Sequence, residues 1–112
     1  MPEKQLRRIL VADNDEEVLV ALERTLENGG YVTTTAVNHA EASQLLSRGG
    51  FDLFVLDDYL SDADSIHVLT ELRRRRISPL VIVTYHHFPE LHQEKQLRAL
   101  GVSALVSKRA DH

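Results

Sequence analysis

The sequence predicts an α/β fold in which helices cover both faces of a parallel sheet of five strands. Short apolar runs alternate along the chain with segments whose apolar residues recur at helical spacing. Such alternation predicts parallel strands joined by right-handed crossovers, with paired glycines and polar residues at the turns. A length of 112 residues, 43% of them hydrophobic, suits one domain with a single core, residues 1–112.

The first half of the chain contains two strand–helix units. The first strand is a run of Ile, Leu, Val and Ala, and the second is rich in Thr and Val, which favour strands. The first helix has acidic residues in its first turn and ends at Gly29 and Gly30, while Asn38 suits the N-cap of the second helix. These strands are predicted at residues 8–12 and 31–37, and these helices at residues 16–28 and 39–47.

The second half of the chain adds three strands and two helices. The third strand is a continuous apolar run that ends in Asp57, which suits a strand buried on both faces. An acidic loop, residues 58–64, follows it, and Asp64 or Ser65 suits the cap of the third helix. Pro89 suits the first turn of the fourth helix. The strands are predicted at residues 52–57, 80–84 and 104–107, and the helices at residues 66–76 and 89–100.

Composition excludes several kinds of site and partner. The chain has no cysteine, which excludes disulfides, thiolate metal sites and thiol nucleophiles. A net charge of −4 argues against a nucleic-acid surface covering the domain. The polar N-terminal residues lack the apolar core of a signal peptide, and no apolar run approaches the ~20 residues that span a bilayer. We therefore expect a cytoplasmic protein that does not itself bind nucleic acid or membrane.

Polar residues stand at the carboxyl ends of four of the five predicted strands. They are Asp13 and Asn14 after the first strand, Asp57 at the end of the third, Thr84 at the end of the fourth and Lys108 after the fifth. Spacing alone does not choose a strand order. With the flavodoxin-like order 2-1-3-4-5, these four strands are neighbours and their polar residues line one shallow pocket at the edge where such folds place their sites.

These residue types predict chemistry on a phosphoryl group. Two carboxylates and an amide oxygen suit a hard cation such as Mg²⁺, with Asp13, Asn14 and Asp57 as its ligands. The ammonium of Lys108 and the hydroxyl of Thr84 suit phosphate oxygens. A carboxylate beside a metal can attack phosphorus and become an acyl phosphate. Each residue alone has an ordinary explanation as a helix cap, a strand residue or a solvated lysine, so the hypothesis depends on their joint occurrence.

With these motifs in place, the chain resembles a bacterial response-regulator receiver domain of two-component signalling. The match extends over almost the whole chain and rests on ILVADND at residues 9–15, FDLFVLD at 51–57, DADS at 62–65, VT at 83–84 and Lys108. The resemblance implies the flavodoxin-like fold. It also implies that Asp57 accepts a phosphoryl group from a histidine of a sensor kinase or phosphotransfer protein. Asp13 then helps to hold Mg²⁺, Thr84 turns toward the phosphoryl group and Lys108 pairs with it.

The resemblance further implies a phosphorylation-controlled switch that changes binding to an effector domain or partner protein. Any catalysis would be limited to self-phosphorylation and self-dephosphorylation at Asp57. The main departures from the family's pattern are Asn14, Tyr85, Leu105 and Arg109, and Ser61 and Ser65 are milder ones. Asn14 stands where a second carboxylate is usual, which predicts weaker Mg²⁺ binding. These departures support an alternative, a degenerate receiver that acts as a phosphorylation-independent interaction or dimerisation module.

The family's fifth helix has no counterpart in the sequence, because four residues follow Lys108. Without that helix an apolar strip of the sheet would face water, and such strips are typical of interaction sites. We therefore expect a fifth helix that is missing or truncated, with self-association as a homodimer or a swapped assembly.

Three further features have competing interpretations. The run at residues 73–76 is more typical of a solvated helix end than of a phosphate-binding patch. His86, His87 and His92 fit no standard zinc spacing. A small hydrolase with the same acidic site is a third hypothesis, but the sequence offers no second general acid and no cap domain to exclude water.

Overall fold

The computed structural model describes residues 7–108 and contains the predicted parallel sheet. Five parallel strands are β1 Arg8–Ala12, β2 Val32–Ala36, β3 Leu53–Asp57, β6 Leu80–Tyr85 and β7 Ala104–Ser107, and their order is β2-β1-β3-β6-β7. Two shorter strands are β4 Tyr59–Leu60 and β5 Ala63–Asp64. The helices are α1 Glu16–Asn28, α2 His39–Ser47, α3 Ser65–Arg74 and α4 Leu91–Ala99. The predicted fold class and the order 2-1-3-4-5 are confirmed.

Side chains of capping residues begin three of the helices, and two of these caps, Asn38 and Asp64, were predicted. Asp15 accepts hydrogen bonds from the backbone of Glu17 and Val18 at the start of α1, and Asn38 accepts one from Glu41 at the start of α2. Asp64, not Ser65, is the N-cap of α3. None of the helices described between residues 7 and 108 has the length and apolar character needed to cross a membrane.

The two faces of the sheet are covered unequally. Helices α2, α3 and α4 pack on one face, where Leu10, Phe54, Leu56 and Val81 are fully buried. The opposite face has a smaller core, in which α1 covers Ile9 and Val11 with Leu19. Strand residues point alternately to the two faces, and β1 and β3 contribute to both cores.

Part of the α1 face is open. Leu80 in β6 is 63% exposed and Val106 in β7 is 44% exposed, and both lie toward the β7 edge of the sheet. The described chain therefore exposes two large apolar side chains on this face, at Leu80 and Val106. Residues 109–112, on which the expectation of a missing fifth helix depends, lie outside the described residues, as does the departure at Arg109.

The structure corrects the prediction for residues 58–64. We predicted an acidic loop, whereas β4 and β5 form a short antiparallel hairpin in which Tyr59 pairs with Asp64 and Leu60 with Ala63. Leu60 is 5% exposed and belongs to the larger core. The acidic residues around it gave no sign in the sequence that this leucine is buried. The hairpin places Asp62 at its tip and Asp64 at its end.

Two helix boundaries also differ from the prediction. Helix α3 ends at Arg74, and Arg76 has φ 58°, a left-handed conformation that ends the helical path. Helix α4 begins at Leu91 because Glu90 and Gln93 form a capping box, which leaves Pro89 before the helix.

Two arginines of the run 73–76 bind neighbouring elements, so the interpretation as a solvated helix end is wrong for them. Arg73 donates from Nε to the carbonyl oxygen of Leu100 at 2.6 Å. Arg75 donates to the hydroxyls of Ser43, at 2.7 Å, and Ser47 in α2. Arg74 and Arg76 are exposed.

Candidate functional site

Three of the predicted site residues meet at the carboxyl edge of the sheet. Lys108 Nζ lies 2.6 Å from Asp13 Oδ2 and 3.0 Å from Asp57 Oδ1. Asp13 is 2% exposed and Asp57 7%, so the ion pairs are buried. The strand order produces this contact, because β3 lies beside β1 and is separated from β7 by β6 alone.

The buried charges shift the pKa values of Asp57 and Lys108. Burial raises the pKa of Asp57 above its usual value, and the negative charge of Asp13 adds to this effect, although the hydrogen bond from Lys108 opposes it. Burial lowers the pKa of Lys108, but its hydrogen bonds to Asp13 and Asp57 outweigh this effect and the net pKa is raised. Lys108 is therefore a permanent cation at neutral pH.

Asn14 contacts the same carboxylate as Lys108. Its side-chain amide faces two acceptors, Asp57 Oδ2 and the carbonyl oxygen of Tyr59, each 3.2 Å away, and the amide nitrogen is the atom that satisfies both. Two oxygens thus converge on one point beside Asp13 and Asn14. Carboxylate and carbonyl oxygens are the ligands that Mg²⁺ prefers, so this donor set fits a hard cation.

Two further carboxylates near the site are bound elsewhere. Asp15 caps α1, and Asp58 Oδ1 accepts a hydrogen bond from the Ser65 hydroxyl at 2.5 Å. Both also line the cavity at the site, with one oxygen of each already accepting a hydrogen bond. We therefore count two carboxylates and one ammonium at the centre of the site, and we name the set Asp13, Asn14, Asp57 and Lys108 the acidic pocket.

The acidic pocket opens into a cavity of about 490 Å³. Besides the pocket residues, its wall includes Tyr59, His86, His87 and Phe88. The ring of Tyr85 packs edge-to-face on Phe88, with centroids 5.2 Å apart. Tyr85 itself does not line the cavity, so its ring reaches the cavity wall through Phe88.

Thr84 and Leu105 lie beside the pocket on neighbouring strands. Thr84 is the register partner of Asp57 and is half-buried, but it is not among the residues that line the cavity. Its carbonyl oxygen accepts a hydrogen bond from the backbone of Asp58 at 2.8 Å. Leu105 is partly buried and packs on the larger core.

The model of the response regulator receiver domain family matches residues 9–112. The chain belongs to this family. The resemblance inferred from the sequence motifs is confirmed, and the domain is a receiver domain of two-component response regulators.

Several curated relatives of this receiver domain are named as transcriptional regulatory proteins. The transcriptional regulatory protein PrrA of Mycobacterium tuberculosis is 41% identical over 66 residues, which cover 59% of this chain and 28% of PrrA. The alkaline phosphatase synthesis transcriptional regulatory protein PhoP of Bacillus subtilis is 34% identical over 79 residues, which cover 70% of this chain and 33% of PhoP. The receiver domain thus matches about a third or less of each of these relatives.

Solved structures share the fold over nearly the whole chain. A CheY-like receiver domain protein from Methanospirillum hungatei has a TM-score of 0.86 and 23% identity, covering 96% of this chain and 85% of that one. The Thermotoga maritima response regulator TrrA, solved in complex with Mg²⁺-BeF, has a TM-score of 0.80 and 25% identity, covering 95% and 90%.

The structure also brings together polar residues that the sequence did not single out. His39 at the start of α2 lies beside His67 and Glu71 of α3, and we name these three the histidine cluster. The i, i+4 spacing of His67 and Glu71 is a signal that the sequence carries, since it places both on one helix face. Their proximity to His39 depends on how two helices pack.

Proposed function

We propose that this receiver domain accepts a phosphoryl group on Asp57 from a phosphohistidine of a sensor kinase or phosphotransfer protein. The position of Lys108 against both Asp57 and Asp13 carries the proposal, because it places a fixed cation beside the nucleophile and beside a second carboxylate. In the transfer, an Asp57 oxygen forms a bond to phosphorus while the bond from phosphorus to the histidine nitrogen breaks. The leaving nitrogen keeps the electron pair of that bond.

The chain's own residues orient and stabilise Asp57 for this reaction. Lys108 Nζ contacts Oδ1, and the Asn14 amide nitrogen contacts Oδ2. The backbone N–H of Tyr59 also donates to Oδ1, at 3.5 Å. Both carboxylate oxygens therefore have donors, which hold the plane of the carboxylate. The ammonium of Lys108 is close enough to pair with the negative phosphoryl oxygens that would form on Asp57.

Asp13, Asn14 and Asp57 are the residues proposed to hold Mg²⁺, together with the carbonyl oxygen of Tyr59. When bound, Mg²⁺ neutralises charge on the transferring phosphoryl group. For Asn14 to ligate through its oxygen, its amide must turn over, because the nitrogen faces the converging oxygens. We propose that this requirement and the missing carboxylate weaken Mg²⁺ binding.

Phosphorylation is proposed to change the binding of an effector domain or partner protein. Thr84 is positioned for this role, because it pairs with Asp57 in the sheet register and is half-buried. The relatives PrrA and PhoP bear names of transcriptional regulators, which supports an output in transcription. Any DNA contact would then belong to a further domain.

Phosphorylation by a small acyl phosphate donor tests the proposal. Incubation with the donor and Mg²⁺ should add the mass of one phosphoryl group to the wild-type domain and none to Asp57→Asn. Asp58→Asn is the matched control, because Asp58 is the adjacent carboxylate and is bound by Ser65. Unchanged mass in the wild type, or equal labelling of Asp57→Asn, would contradict the proposal.

The degenerate receiver and the small hydrolase find less support than the phosphoacceptor. No comparison favours a receiver without phosphorylation, and Asp57, Lys108 and Asp13 are assembled despite the main departures from the family's pattern. Enzymatic activity beyond self-phosphorylation and self-dephosphorylation is not proposed.

Self-association stays a prediction that rests on the exposed side chains of Leu80 and Val106. Sedimentation equilibrium should show a concentration-dependent dimer, which Leu80→Asp should weaken. A monomer at high concentration would contradict it.

A further inference from the structure

We propose that the histidine cluster, His39, His67 and Glu71, is a binding site for a divalent transition metal, with Zn²⁺ as the ion it fits best. The ligand atoms of the three side chains all lie within 4.8 Å of one another. The site shares no residue with the acidic pocket, and it joins the first residue of α2 to the middle of α3.

The geometry suits a tetrahedral ion. Zinc bonds to imidazole and carboxylate are roughly 2.0–2.2 Å long, so neighbouring ligands lie roughly 3.3 Å apart. His39 Nε2 and Glu71 Oε2 are 3.5 Å apart, close to that separation. His67 is exposed and can close the remaining gap by a rotamer change. Two imidazoles and one carboxylate leave a fourth position for water.

The ligand set favours a transition metal over Mg²⁺. Imidazole nitrogens suit zinc, copper and nickel, whereas Mg²⁺ takes oxygen ligands almost exclusively. The acidic pocket offers oxygens from Asp13, Asp57 and Tyr59. The two sites should therefore select different ions.

The β4–β5 hairpin anchors the backbone of both histidines. Asp62 accepts hydrogen bonds from the backbone N–H of His39, at 2.7 Å, and of Ala40, at 3.1 Å. Asp64 accepts one from the backbone N–H of His67 at 2.8 Å. Two ligands from different helices are thus held in place by one short hairpin, which lowers the ordering required on metal binding.

The His39 ring has unused bonding capacity. Its Nδ1 is buried and has no hydrogen-bond partner, while its Nε2 contacts Glu71. A structural histidine usually satisfies its buried ring nitrogens with backbone or side-chain groups. Here the polar contact goes to another metal-ligating group instead.

Glu71 has one oxygen oriented toward the site. Arg75 Nη1 lies 3.6 Å from Glu71 Oε1, which leaves Oε2 toward His39. Arg75 also binds the hydroxyls of Ser43 and Ser47, so its guanidinium is held on the α2 side of Glu71. The positive charge of Arg75 disfavours a bound cation. The negative charge of Asp62, bound at the start of α2, favours one.

Calorimetric titration with Zn²⁺, in buffer with saturating Mg²⁺ to occupy the acidic pocket, tests the proposal. The wild-type domain should bind one Zn²⁺, and His67→Ala and Glu71→Gln should each weaken binding by at least about tenfold. His92→Ala is the matched control, because His92 is an exposed histidine on α4. Equal affinity in the wild type and His67→Ala would overturn the site, as would a loss confined to His92→Ala.

A second measurement identifies the ligands directly. Zn²⁺ should shift the imidazole nitrogen signals of His39 and His67 in long-range ¹H–¹⁵N spectra and leave those of His86, His87 and His92 in place. The same result is expected in Asp57→Asn, so a failure of phosphorylation does not affect this test. Shifts at His86 and His87 without shifts at His39 and His67 would overturn the proposal.

Discussion

The acidic pocket and the histidine cluster are both assembled from residues far apart in the sequence, yet they arise in different ways. Lys108 and Asp13, 95 positions apart, meet because parallel strands end at the same edge of the sheet. His39 and Glu71 meet because α2 and α3 pack side by side on one face. The first contact follows from topology, whereas the second depends on the rotation of each helix about its axis.

The two sites also differ in how rigidly their side chains are held. The acidic pocket is buried, and its carboxylates already share one ammonium. The histidine cluster is partly exposed and has ligand atoms up to 4.8 Å apart. Substitutions in the acidic pocket should therefore change stability mainly by leaving buried charges unpaired. Substitutions around the histidine cluster should change it mainly by releasing the ends of α2 and α3.

The largest expected effect comes from removing the shared ammonium. Lys108→Ala leaves Asp13 and Asp57 buried without their cation, which should lower the free energy of unfolding by about 3 kcal/mol at neutral pH. Because the pKa of Lys108 is raised, its contribution is present below its ordinary pKa of 10.5 and is lost only as pH rises through the raised value. Urea unfolding measures the change, with Lys95→Ala on the exposed side of α4 as the control.

The deficit of Lys108→Ala should shrink at low pH. The pKa of Asp57 is raised by burial, so the unfavourable charge of Asp57 is present above that raised pKa and disappears as pH falls through it toward the ordinary 3.8. A deficit that stays constant down to pH 4 would mean that buried charge is not its cause.

An intermediate effect is expected where the pocket departs from the family's pattern. Asn14→Asp restores a second carboxylate and removes the need to turn the amide, so Mg²⁺ affinity should rise about tenfold, within the limit of roughly 4 kcal/mol for one charge at 4 Å. NMR titration with Mg²⁺ measures the affinity. Asn28→Asp makes the same chemical change at the end of α1 and should leave the affinity unaltered. Equal gains in Mg²⁺ affinity in both variants would show that the gain comes from net charge and not from a new ligand at position 14.

The smallest effect is expected at the hairpin that anchors the histidine cluster. Asp62→Ala removes two hydrogen bonds to the first turn of α2, which should lower the free energy of unfolding by about 1 kcal/mol. Burial raises the pKa of Asp62, but the backbone hydrogen bonds from His39 and Ala40 outweigh it and the pKa is lowered. The stabilisation is therefore present above the ordinary pKa of 3.8 and is lost as pH falls through the lowered value.

Thermal unfolding at pH 7 and at pH 3 measures this change. Ser61→Ala, at the neighbouring exposed position of the same turn, is the control. An unchanged melting temperature for Asp62→Ala at pH 7 would show that the anchor does not stabilise α2.

Much of the architecture could be predicted from the sequence, because each long apolar run is a buried strand and polar residues mark the carboxyl ends of four of the five parallel strands. The order of the strands needed the family resemblance, since spacing alone does not choose it. The β4–β5 hairpin was missed because its charged residues conceal one buried leucine, Leu60. The orientation of the Asn14 amide and the contact between His39 and Glu71 depend on side-chain packing. No local pattern in the sequence predicts either of them.

The central claim is that Asp57 is a phosphoacceptor assembled by Lys108 and Asp13. Beryllofluoride with Mg²⁺ mimics a phosphoryl group on a carboxylate, and the related receiver TrrA was solved in complex with Mg²⁺-BeF. Titrated into the ¹⁵N-labelled domain at millimolar Mg²⁺, beryllofluoride should shift the amide signals near Asp57, Thr84 and Lys108 in the wild type and leave Asp57→Asn unchanged. Identical spectra with and without beryllofluoride, in the wild type as in Asp57→Asn, would contradict the claim.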